Sequence, residues 1–111
     1  MSHLLALSDE QHAHLQIAEA DTARLNQLLR EDRKAGLSGH QWQIAACLAS
    51  AAADQVQRVA ELSGVSVGRT WATMARLLRE SAARFELASA LADVAVDLVV
   101  GVSGDVAHDA A

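Results

Sequence analysis

The chain has little of what stops, staples or bulks out a fold. It has no proline and no tyrosine, a single cysteine, and only three aromatic residues, Trp42, Trp71 and Phe85. Without proline nothing forces a helix to kink or end, so glycine is left as the main punctuation. One cysteine excludes an internal disulfide and points to an intracellular setting. With aromatics at 3%, alanine, leucine and valine must do the packing, which favours closely spaced helices. The opening MSHLLALSDEQ lacks the basic n-region and the apolar length of a signal peptide. The apolar stretch 87–102 carries Asp93 and Asp97 and is too short to span a bilayer. The expectation is a soluble, cytoplasmic chain without a membrane partner.

What is present is apolar and small. At 111 residues the chain is one domain, and 51% apolar residues suffice for a core. A core so poor in aromatics is often completed by oligomerisation, so a homodimer is expected. Net charge is −5, which argues against general polyanion binding, but the charge is uneven. Residues 1–37 are net −2, residues 38–84 are net +2, and residues 85–111 hold five acids and no base.

The six glycines fall in three places, at 36–39, 64–68 and 101–104, and divide the chain into helical segments. Helix 1 is expected over about 8–35, with Ser8 as N-cap, Asp9 and Glu10 in the first turn, and Arg33 and Lys34 in the last. Leu15, Ala18, Thr22, Leu25, Leu28 and Leu29 form its apolar stripe. Upstream, Leu4, Leu5 and Leu7 form an apolar arm that needs a cover, for instance on a partner chain.

Ser38 caps a second helix over 39–52, in which Cys47 sits on the apolar side; a small buried hydrophobe is the default reading, a redox thiol the other. A third helix, 54–63, either follows separately or is continuous with the second, because Ala51-Ala52-Ala53 favours helix. Gly64 then ends the helix with φ > 0, and Ser66 caps a fourth helix starting near Val67. Trp71, Met74, Leu77 and Leu78 make its apolar face, with Arg69, Thr70, Thr73 and Arg76 on the other side. A C-terminal helix covers about 81–101, separately or as a continuation, and 103–111 is expected to fray. Val94–Val102 also alternates like a strand, but no second strand exists to pair with it. The fold class is therefore all-α: a small helical domain with a helix-turn-helix core over about 38–80.

Gly36-Leu37-Ser38, Gln41-Trp42-Gln43-Ile44, Leu48, Val59-Ala60-Glu61-Leu62, Gly64-Val65-Ser66 and Arg76-Leu77 follow one another in an order and spacing that resembles the DNA-binding core of MarR-type transcription regulators. The similarity covers about 36–80. PadR-type regulators share its later part, Ser66-x-Gly68, Trp71, Met74 and Arg76-Leu77. The resemblance implies a small regulator that binds double-stranded DNA as a homodimer, with long terminal helices dimerising and no cofactor. It makes 67–79 the recognition helix. Arg69, Thr70, Thr73, Arg76 and Arg79 would then approach the major groove, with Ser66 near phosphate at the helix start. Winged members continue with a glycine and a β-hairpin. Here LLRESAARFELASALADVAVDL has neither, so a wing is not expected. The other reading is a helical protein-interaction module without DNA binding, suggested by the acidic C-terminal third and the apolar ends.

Catalysis is not expected. His12 and His14 point to different helix faces, and His3, His40 and His108 are scattered, so no metal-ligand spacing arises. Asp93 and Asp97 read as a solvated i,i+4 pair, and GVSVG lacks the lysine and strand of a phosphate loop.

Overall fold

A computed structural model describes residues 7–110, with side-chain surroundings defined through residue 95. Leu4, Leu5, His3 and the side chains of Asp97 and His108 lie outside the described residues. The described residues form three helices and no strand: α1 (Asp9–Ala35), α2 (Gly39–Glu61) and α3 (Val65–Ala110).

Local chemistry sets the first two boundaries. Ser8 and Ser38 each accept a hydrogen bond from the backbone N–H three residues on, and Gln11 and Gln41 reach back to the serine N–H. Both helices thus start with a reciprocal capping box. Gly36 ends α1 at φ 77°, a conformation that needs no Cβ. Acidic Asp9 and Glu10 in the first turn of α1, and basic Arg33 and Lys34 in its last, suit the helix dipole.

Of the two readings of 39–63, the continuous helix holds. α2 passes through Ala51-Ala52-Ala53 without a break, and Asp54 is an exposed mid-helix residue. The next junction also differs from expectation. Gly64 does not take a positive φ; Gly36 is the only described residue that does. α2 instead ends on Leu62 in right-handed geometry, and Ser63 N–H bonds to the Ala60 carbonyl at 3.1 Å. Gly64 occupies the N-cap place of α3: its carbonyl accepts from Gly68 N–H at 2.6 Å. Ser66 therefore lies inside the first turn of α3 and caps nothing. α3 runs unbroken past Ser81, whose Oγ donates to the Leu77 carbonyl at 3.0 Å, and past the glycines at 101 and 104 to Ala110.

α2 is the central element, and α1 and α3 each pack antiparallel against it. Leu25 packs with Ala45, Leu48 and Ala49, and Ala18 with Ala52, Val56 and Ala75. At the far end Gln11 is 5% exposed yet satisfied. Its Nε2 donates to the Val59 carbonyl at 3.2 Å and to Ser63 Oγ at 2.8 Å. That pins the start of α1 to the end of α2, and nearby His14 Nδ1 lies 2.6 Å from Gln55 Oε1.

The α2–α3 seam is built from small residues. Gly68 meets α2 so closely that a Cβ would lie 2.9 Å from the Ala60 carbonyl oxygen. At the other end Ser89 Oγ donates to the Gly39 carbonyl at 2.7 Å, and Asp93 fills the space beside Gly39. Those two ends fix the register. Gly39, Ala46, Ala53 and Ala60 recur every seven residues on α2; Gly68, Ala75, Ala82 and Ser89 do so on α3. All eight are buried. A seven-residue repeat keeps two helices in contact by a gentle supercoil. The result is a hairpin joined along the length of α2.

The expected consequence is that two glycines one helical turn apart behave oppositely. Gly68→Ala presses a methyl onto a backbone carbonyl and should lower stability by about 1 kcal/mol, despite the helix propensity it adds. Gly64→Ala meets nothing within 4 Å and should stay within about 0.5 kcal/mol. Urea unfolding followed by circular dichroism measures both; equal effects would contradict the close seam.

Candidate functional site

With its small residues turned to α2, α3 presents a row of arginine and hydroxyl side chains outward. Ser66, Arg69, Thr70, Thr73 and Arg76 are all exposed and lie on one arc of about 120°, opposite the seam. Thr73 Oγ1 donates to the Arg69 carbonyl at 2.9 Å, so its hydroxyl is left as an acceptor. Arg69 and Arg76 make no ion pair among the described residues, and Arg84, which was not among the expected contacts, continues the same arc. Arg79 does not join them. It sits on the α2 flank with Nη2 3.2 Å from Asp54 Oδ1, both roughly half or more exposed, a pair worth at most about 1 kcal/mol.

The apolar face expected on α3 splits in two. Trp71 and Leu78 pack against the core formed by Ala18, Ala52, Val56 and Ala75. Met74 and Leu77 do not follow them: they are 43% and 53% exposed. Further on, Leu87, Leu91 and Val94 are 61%, 60% and 53% exposed, on the same outer side as the arginines. Their order is heptad-like: Leu77, Arg84 and Leu91 stand seven apart, and Leu87 and Val94 form a second track three residues on. That spacing was the available signal. It is hidden in a plain apolar stripe because α3 carries two seven-residue patterns, a small one inward and a large one outward.

The outer face changes character along its length. From 66 to 84 it carries Arg69, Arg76 and Arg84 with only Glu80 among them; from Leu87 it becomes aliphatic. By sequence, residues 85–111 carry five acids and no base.

An open hollow borders α2 on another side. Cys47 is exposed, contrary to the buried reading, because α2 already buries the faces of Ala45, Ala49, Ala52 and Val56 and of Ala46, Ala53 and Ala60. It lines an open hollow of about 690 Å³ with His40, Gln43, Ile44 and, from α3, Glu86. No hydrogen bond joins His40, Cys47 and Glu86 among the described residues. Among the described residues no group of three or more His, Cys, Asp or Glu could hold a metal ion, and no helix is long and apolar enough to cross a membrane.

Comparison of the chain with protein-family models, with curated proteins and with solved structures returns no match.

The exposure of Cys47 has a direct readout. A thiol reagent such as Ellman's should titrate one thiol per chain in the native protein as fast as it reaches an unstructured peptide cysteine, within about tenfold. Reaction only after denaturation would place Cys47 inside.

Proposed function

We propose that this chain is a helical association module, with the outer face of α3 as its working surface. One observation carries the reading: the described core is mostly alanine, while a set of larger aliphatic side chains stays exposed. Among the described residues nine of the thirteen buried hydrophobics are alanine, and Val59 is the largest fully buried side chain. Ile17, Leu62, Val65, Met74, Leu77, Leu87, Leu91 and Val94 are left exposed. An alanine interior recovers little from the hydrophobic effect, which scales with apolar area at about 25 cal/mol per Å². The aliphatic row on α3 is the stabilisation left unused, and a second helix laid on it would recover it. Single exposed leucines are ordinary; an aligned heptad row is what a partner helix needs.

DNA binding by a helix-turn-helix is the second reading. It is favoured by the exposed arc of Ser66, Arg69, Thr70, Thr73 and Arg76, in a chain segment that is net positive. Against it stands the hairpin. A recognition helix crosses its neighbour at about 90–120° and is free along its length to enter the groove, whereas α3 lies along the whole of α2. Leu77 and Glu80 also interrupt the arc with groups a phosphate backbone does not attract.

Two measurements decide. Light scattering of the full chain should give a mass above 11.7 kDa that falls to the monomer in the double variant Leu87→Glu, Leu91→Glu. A wild-type chain that stays monomeric throughout the micromolar range overturns the association reading. Titration with labelled duplex should show nothing tighter than ordinary non-specific binding, about 10⁻⁴–10⁻⁶ M at physiological salt. Tighter, salt-sensitive binding that Arg69→Ala and Arg76→Ala abolish would assign the face to DNA.

A further inference from the structure

The association reading leaves open what lies on α3 and which way it runs. Resting on that reading, we propose that the occupant is α3 of a second copy of this chain, running antiparallel, with the two-fold axis between Leu87 and Leu91.

Three features select this arrangement. The first is the row itself. Leu77, Arg84 and Leu91 on one track and Leu87 and Val94 on the other give a coiled-coil seam on the side of α3 that α2 does not use, and the sequence places Leu98 next on the first track. A helix of the same repeat is the natural complement.

The second is charge. On its outer arc the part of α3 before Leu87 has Arg69, Arg76 and Arg84 against Glu80, while Arg79, Glu86 and Asp93 face α2; in sequence, the stretch after Asp93 holds three acids and no base. Parallel copies set base beside base and acid beside acid along the whole helix. Antiparallel copies set the basic half of each against the acidic half of the other, twice over. Charge patterning of this kind is what fixes helix orientation and suppresses the wrong pairing.

The third is length. The first residue of α2, Gly39, lies beside Ser89 and Asp93, so the part of α3 from residue 94 to Ala110 extends past α2 by about 25 Å. An axis at residue 89 lays that extension along the stretch 68–84 of the other copy, which its own α2 already backs. Each overhang is covered, and the α1–α2 layers fall on opposite sides of the pair.

The orientation can be read as one distance. In the full chain with Cys47→Ser, a spin label at Ser66→Cys near the start of α3 should sit about 65–70 Å from its counterpart by pulsed electron resonance, since some 23 residues separate it from the axis. Raising the salt from about 0.05 to about 0.5 M should weaken the dimer at least roughly tenfold. A label separation under about 25 Å overturns the antiparallel arrangement while leaving a dimer. A dimer that persists in the folded Leu87→Glu, Leu91→Glu variant overturns the choice of face. A monomeric wild type removes the association reading and this inference together. The label distance stands without the double variant, should that variant lose its helix by circular dichroism.

Discussion

The close seam between α2 and α3 is the constraint on which the rest depends. Helix axes approach only as far as their side chains allow, and the usual separation is about 8–10 Å. Gly39, Ala46, Ala53 and Ala60 against Ser89, Ala82, Ala75 and Gly68 form four steps with nothing larger than a serine, so backbone meets backbone at Gly68 and Ala60. The repeat of seven keeps the small residues in line from Gly39 to Ala60 on α2 and from Gly68 to Ser89 on α3. A single large residue in that row would push the helices apart over several turns. The hydroxyl of Ser89 is tolerated because it has the Gly39 carbonyl to donate to, and among the described residues no buried side-chain polar atom is left unpaired.

A seam this close has an energetic consequence. Dispersion contact is dense, but alanine removes little apolar surface from water, so the hairpin is well specified and weakly driven. α1 supplies the larger buried group, Leu25, and packs the aromatic pair Trp42 and Phe85 from one side; their rings stack at 5.7 Å. Beyond this the fold has few large groups inside. Leu77, Leu87 and Leu91 of α3 face out because the inner track is filled, and turning them in would break the seam. Segregation of small and large residues onto opposite faces of one helix therefore commits one face of α3 to α2 and leaves the aliphatic row of the other exposed.

Much of the fold was legible from the sequence. Ser8 and Ser38 as caps, Gly36 as a stop, the stripe through Ala18 and Leu25, and the absence of any strand among the described residues follow from side-chain chemistry within a few residues. Two misreadings share a cause. A buried Cys47 and an inward Met74 and Leu77 assume that the larger apolar residues mark the core. Here alanine marks it. Once alanine is the inward residue, Cys47 is rotated out of α2 and Met74 and Leu77 out of α3. Gly64 needed no positive φ because α2 ends in right-handed geometry on Leu62 and Ser63. Of the residues expected at DNA, Ser66, Arg69, Thr70, Thr73 and Arg76 do share a face. Arg79 lies off that face, and nothing local in the sequence shows that Asp54, a full helix length back in the chain, is next to it.

The segment around Gly64 resembles a helix-turn-helix on grounds that a hairpin shares. Ala60 followed by Gly64 and Gly68 permits two helices to come close at a turn, and that requirement is common to a crossing and to a hairpin. What separates them is how far the small residues continue. In a crossing they are needed for one or two turns. Here they continue at the same interval to Gly39 and Ser89, which a crossing would leave far apart and exposed. The outward arginines then acquire a second meaning. On a crossing helix they would be free for phosphate; on a helix paired along its length, followed by an aliphatic row and an acidic half, they are also the complement of its own far end. The continuity of α3 joins basic, aliphatic and acidic stretches in one rod, and this weighs the geometry toward protein association.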